Sequence, residues 1–205
     1  VLMFLGFAVL LGILFARYGG FDFLSASLPE QHLTWDGGNS GFFILAWYFI
    51  ALVTLIEPTF HQRTYAARDE GTARRGILVS IACWAVFDFL TTSCGLYARA
   101  LLPDLAEPIA AYPALAAEVL PVGLTGLFAL ALLATVMSTV DSYSFLAAST
   151  FGHDIMPRLA RRGDDVSIGR WTRWGLALSV LVAIVVAWSF QSVIDIWYAF
   201  GSIGT

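Results

Sequence analysis

Apolar residues along this chain gather into long runs, separated by short polar interruptions that carry most of the arginines. A helix needs roughly 20 predominantly apolar residues to cross the hydrocarbon core of a bilayer. The runs that qualify, or nearly so, lie at 1–16, 41–60, 76–98, 122–148 and 174–190, and a further one starts near 193 and continues to 205. The first run is short, begins with Val1 and has no basic flank, so it is expected to be the tail of a helix rather than a signal peptide. The expectation is a single transmembrane domain over 1–205, all α-helical, forming a fragment of a larger membrane protein.

Composition strengthens this reading. The chain is 59% hydrophobic and 13% charged, with a mean hydropathy of +0.77. A soluble domain would carry about 25% charge. Every basic residue is arginine, 11 in all. Arg63, Arg68, Arg74 and Arg75 fall between the second and third runs, and Arg158, Arg161, Arg162, Arg170 and Arg173 between the fourth and fifth. Arginine in short connections marks the cytoplasmic side. "HQRTYAARDEGTARR" and "RLARRGDDVSIGRWTR" are then inside, and the loop ahead of the second run and the segment 99–121 outside. Spacing between spans makes topology, not nucleic-acid binding, the role of these arginines. Cys83 and Cys94, 11 residues apart on one helix, stand about 16 Å apart by helical rise, too far for a disulfide.

The outer segment 99–121 has prolines at 103, 108, 113 and 121, and short helices over the membrane face are expected there. Pro121 suits the first turn of the fourth span. Gly123 and Gly126 either let neighbouring helices approach or are incidental.

The fourth run breaks its own apolar character with "ALLATVMSTVDSYSFLAAST", residues 131–150. At about 100° per residue, Asp141, Ser138, Ser149, Ser142, Thr135 and Thr139 share an arc of roughly 160°. Leu132, Leu133, Val136, Met137, Val140 and Ala147 take the other side, with Tyr143 and Ser144 as exceptions. An aspartate at mid-bilayer costs roughly 2.5–3.5 kcal/mol, and each Leu, Ile, Val or Phe returns about 0.3–0.6. Ten such residues between Leu124 and Leu146 offset roughly 3–6 kcal/mol, so the helix inserts. An ionisable group kept at that depth is a functional candidate. Hydroxyls, carbonyls and carboxylates are the ligands of small hard cations. Ser138 and Thr139 offer two hydroxyls to one point, and a Ser or Thr hydroxyl that disturbs the helical ladder would free the Thr135 carbonyl. The alternative is that these hydroxyls bond back to their own helix and join it to neighbours.

"LLATVMSTVDSYSFLAASTFGHDI" resembles the signature helix of the sodium:solute symporter family, and "HQRTYAARD" and "AAYPALAAEVLPVGLTGLF" resemble that family at the expected separations. The resemblance covers about residues 40–160. It implies part of a leucine-transporter-type inverted-repeat helix bundle, from roughly the fifth core helix to the start of the tenth. Sites in such folds lie near the midplane, at the repeat interface. Carried over, Ser138 and Thr139 supply hydroxyls and Thr135 a backbone carbonyl to Na+, with the remaining ligands on a helix outside this fragment. Hydroxyls at the positions of Asp141 and Ser142 belong to a second sodium site in some members. Asp141 therefore either binds a second cation, carries a proton, or is a protonated acid hydrogen-bonded across helices.

Three residues are candidates for the substrate pathway. Glu57, beside the helix-breaking Pro58, either lines the inner pathway or snorkels to the cytoplasmic surface. Asp88 either contacts substrate or pairs with another helix. Counted from Arg63, sugar-transporting members have Asn, Tyr and Lys where this chain has Ile50, Val53 and Trp84, so an amino acid or organic acid is expected rather than a sugar.

The function implied is sodium-coupled symport of a small organic solute across the cell (cytoplasmic) membrane. Expected partners are the solute, sodium, the lipid bilayer and the missing helices of the full-length chain, with no nucleic acid. A membrane sensor feeding a cytoplasmic signalling module is the alternative. An intramembrane enzyme using Asp88 and Asp141 as an acid pair is a third class. Enzymatic chemistry is not expected, because His32, His61 and His153 are scattered and no Ser-His-Asp, zinc-type or phosphate-loop arrangement is present.

Overall fold

A computed structural model of the chain describes residues 1–160, 165–190, 192 and 196. The run starting near 193 and Arg161 and Arg162 of the inner connection lie outside the described residues, apart from Ile196. Among the described residues the structure is helical, without strands. It is an all-α membrane protein that crosses the bilayer several times. Two compact units, Val1–Val136 and Met137–Thr205, are separated within the long apolar helix that carries the polar arc.

In the first unit, α1 (Leu2–Tyr18) ends at Gly19 and turns through 70° into α2 (Phe21–Ser27). Gly19 takes φ +95°, a conformation open to glycine without steric cost. α3 (Gly41–Ala51) starts on Ser40, whose hydroxyl accepts the Phe43 amide at 3.3 Å. A 3-10 helix follows at Leu52–Ile56, and α4 (Pro58–Tyr65) begins on proline. The run 41–60 is therefore not one helix. Pro58 has no amide to give the preceding turn and pushes Glu57 into an extended conformation, φ −72° and ψ 123°.

α5 (Glu70–Leu101) is capped by Asp69, which accepts the Thr72 amide at 2.7 Å. It starts six residues before the apolar run expected at 76, because polar residues end a membrane span without ending a helix. After a 3-10 turn at Pro108–Ala110, α6 (Ala111–Val119) gives the outer segment a short helix. α7 (Val122–Ser149) follows, with Pro121 just ahead of it and the Pro121 carbonyl accepting the Thr125 amide at 2.9 Å. Pro121 thus caps the helix rather than sitting inside its first turn.

The core of this unit joins α1, α2, α5 and α6 through Phe7, Leu10, Leu14, Leu24, Tyr97 and Leu115, all fully buried, and reaches the start of α7 through buried Phe128. The Phe7 ring meets Phe87, Tyr112 and Phe128 edge to face, with centroids 5.6, 5.0 and 5.1 Å away. Gly6 admits the Phe128 ring, which a β-carbon would meet at 3.1 Å. Cys94 belongs to this core, whereas Cys83 is exposed, and both are free thiols. No neighbour among the described residues lies within 4 Å of a β-carbon built on Gly123 or Gly126.

In the second unit α7 runs into a π-helical turn, Thr150–Ile155, then α8 (Met156–Ala160) and α9 (Asp165–Ser189). α9 takes in Arg170 and Arg173, which the sequence placed in a loop.

Three helices are long and apolar enough to cross a membrane among the described residues: Glu70–Leu101, Val122–Leu159 and Ser167–Ser189. The bent pair α1–α2 makes a fourth if counted as one span. The apolar windows of these three are 11%, 11% and 6% buried, so their oily faces are left for lipid or for further helices.

Candidate functional site

The polar face of α7 is carried by an uninterrupted α-helix. Thr135 is half-buried, Ser138, Thr139 and Asp141 are exposed, and Ser142 is half-buried. The Thr135 hydroxyl stands 2.9 Å from the Ala131 carbonyl oxygen and 2.7 Å from the Met3 sulfur on α1. Its single proton serves one of them at a time. The Ser142 hydroxyl donates to the Ser138 carbonyl at 2.9 Å. Thr135 and Ser142 thus use their side chains in the helix-internal way that was the alternative to ion binding.

The ladder is not broken at Thr135. In a continuous α-helix that carbonyl accepts the amide of residue 139. Ser138 and Thr139, adjacent on this face, carry neutral hydroxyls. Asp141 adds the one carboxyl group among the six polar residues of the arc.

The substrate-pathway candidates lie elsewhere. Glu57 stands at the break between α3 and α4, half-buried, with one carboxylate oxygen accepting the Thr59 hydroxyl at 2.6 Å. Trp84 and Asp88, four residues apart, share a face of α5, and both are exposed. The Asp88 carbonyl accepts the Thr91 hydroxyl at 3.2 Å. Val53 has no described side chain. Among the described residues, no three His, Cys, Asp or Glu side chains form a metal-holding group.

Sequence reasoning missed three features. Tyr97 is fully buried on α5, and its hydroxyl donates at the α1–α2 elbow, to the Gly19 carbonyl and, at 3.2 Å, to the Gly20 carbonyl. His61 reaches back to the Leu55 carbonyl at 2.7 Å. The π-helical turn packs on α9 through Gly152. None of these follows from periodicity. A helix-breaking Pro with a hydrogen-bonding side chain three residues on was the one readable signal.

The sodium:solute symporter family matches residues 1–202 of the chain. The sodium/mannose cotransporter SLC5A10 of Bos taurus is 28% identical over 177 residues, covering 76% of this chain and 28% of the relative. The uncharacterized symporter YidK of Escherichia coli (strain K12) is 28% identical over 131 residues, covering 62% of this chain and 23% of the relative. The sodium/myo-inositol cotransporter 2 of Homo sapiens is 26% identical over 231 residues, covering 90% of this chain and 34% of the relative. The chain therefore spans about a quarter to a third of the length of these relatives. No solved structure gives a significant match.

Proposed function

The chain belongs to the sodium:solute symporter family, and on that premise we propose that it carries half of the ion site of a sodium-coupled secondary transporter for a small organic solute. The observation that supports this most is the placement of Ser138 and Thr139 together on an exposed polar face of a continuous, otherwise apolar helix. Their hydroxyls, with the Thr135 backbone carbonyl, replace part of the water shell of one sodium ion. The remaining ligands come from a helix elsewhere in the full-length protein, within an inverted-repeat bundle. Asp141 and Ser142 form the adjoining position, for a second cation or a proton.

Sodium bound from outside stabilises the arrangement that also binds solute, so the ion and the solute favour one another. Rocking of one bundle against the other then opens both sites inward. One charge moving through 100 mV contributes about 2.3 kcal/mol to this cycle. No covalent step is needed.

For the solute we favour an amino acid or organic acid over a sugar, because Ile50, Val53 and Trp84 stand where sugar-binding Asn, Tyr and Lys are expected. Glu57, Trp84 and Asp88 are the side chains we assign to the solute pathway. A sugar or polyol is the second reading, favoured by the relatives whose names specify mannose and myo-inositol. Uptake into vesicles by the full-length protein, with and without an inward sodium gradient, separates them. Gradient-driven uptake of amino or organic acids supports the first reading, and uptake of mannose or myo-inositol the second. Uptake indifferent to sodium removes the coupling itself.

A further inference from the structure

The break between α3 and α4 contains its own repair. In a 3-10 helix the carbonyl of residue i accepts the amide of residue i+3. For Leu55 that donor would be the amide of residue 58, and Pro58 has none. The His61 ring fills the place: its Nε2 lies 2.7 Å from the Leu55 carbonyl oxygen. The ring is held in turn against Tyr65, with centroids 5.7 Å apart and planes at 27°. Glu57, between the two partners, is fixed on the same turn by the Thr59 hydroxyl at 2.6 Å.

We propose that His61 is a positioning residue that stands in for the amide Pro58 lacks, and so sets the geometry of the α3–α4 break on which Glu57 is mounted. The helix then stays broken without leaving the Leu55 carbonyl unsatisfied, which in a membrane protein is costly. A His donor also fixes the direction in which α4 leaves the break, because the ring bridges the last 3-10 turn and the first turn of α4. The link to solute transport rests on the function proposed above. The link between His61 and Pro58 does not.

The two positions make a thermodynamic cycle, because restoring the amide should make the histidine dispensable. The full-length protein is compared with its H61A, P58A and P58A/H61A variants, by thermal melting in detergent and by gradient-driven uptake. H61A should lower the melting midpoint by several degrees and raise the KM for solute about tenfold, with a smaller change in kcat. In the P58A background the same substitution should leave the midpoint unchanged and the KM within about twofold of P58A alone. Equal losses in the two backgrounds would overturn the inference. If H61A does not fold, folding of P58A/H61A supports the inference, and failure of both overturns it. If the wild-type protein shows no gradient-driven uptake, the transport reading fails and the melting cycle still decides the role of His61.

Discussion

Gly152, on the π-helical turn after α7, lies against the backbone of Thr172 on α9. A β-carbon built on Gly152 would stand 2.8 Å from the Thr172 nitrogen and 2.9 Å from its α-carbon. Nearby, a β-carbon on Gly175 would come within 3.1 Å of the Ala148 α-carbon. Two glycines, Gly152 on the turn and Gly175 on α9, thus let α9 touch the turn and the end of α7 along their backbones, the kind of contact small residues make between membrane helices.

Gly152→Ala should therefore destabilise the protein by about 1–3 kcal/mol, since backbone atoms cannot move aside as a flexible side chain can. Gly169→Ala is the control, because nothing among the described residues lies within 4 Å of its β-carbon. Thermal melting of the full-length protein in detergent checks both. A Gly152→Ala midpoint equal to that of Gly169→Ala would contradict the packing described.

Tyr97 makes a different test. Its buried hydroxyl donates to the carbonyls at the elbow where α1 gives way to α2. Its ring stacks on Phe23, with centroids 5.8 Å apart and planes at 10°. Tyr97→Phe keeps the stacking and removes the donor, so it isolates the hydrogen bond at a cost of about 1–3 kcal/mol. Faster amide hydrogen exchange around Phe23, whose amide donates to the Gly20 carbonyl at 3.2 Å, is the expected local sign. Exchange and melting both unchanged would show that the elbow does not depend on this hydroxyl.

How much of this was legible depends on the distance over which each feature is determined. The run 122–148 was readable because a nearly uniform apolar stretch has one low-energy form in a bilayer, a helix, and α7 spans Val122–Ser149. The run 41–60 was equally apolar, yet Pro58 divides it. Proline was visible in the sequence, but where the helix would restart depends on a side chain, His61, that replaces the lost amide. Residues 165–173 look like a loop by polarity and are helical, because polarity reports the membrane boundary and not the backbone conformation. The polar arc on α7 followed from a 100° rotation per residue, a local property. The contact of Thr135 with Met3, across 132 residues, and that of Tyr97 with Gly19, across 78, are tertiary and left no trace in spacing.

Outside the membrane spans, the turn at Asp36 gives a pH prediction. The Thr34 hydroxyl, then the Gly38 amide 3.4 Å from Oδ1, hold the Asp36 carboxyl below its ordinary value of 3.8. A carboxyl lowered in the folded state contributes order above its unfolded pKa, and that order is lost as pH falls through the lower, folded value. Amide exchange at Gly38 should stay constant from neutral pH until that acid range is reached, once corrected for intrinsic exchange. Asp36→Asn should abolish the step. A side-chain titration midpoint for Asp36 at or above 3.8 would contradict this.

In the function proposed above, the Ser138 and Thr139 hydroxyls hold the coupling ion. The direct measurement is the sodium dependence of solute uptake into vesicles by the full-length protein, compared with its Ser138→Ala and Thr139→Ala variants. Loss of either hydroxyl should raise the sodium concentration for half-maximal uptake about tenfold, while uptake at saturating sodium is partly retained. A sodium dependence unchanged in both variants would contradict the claim.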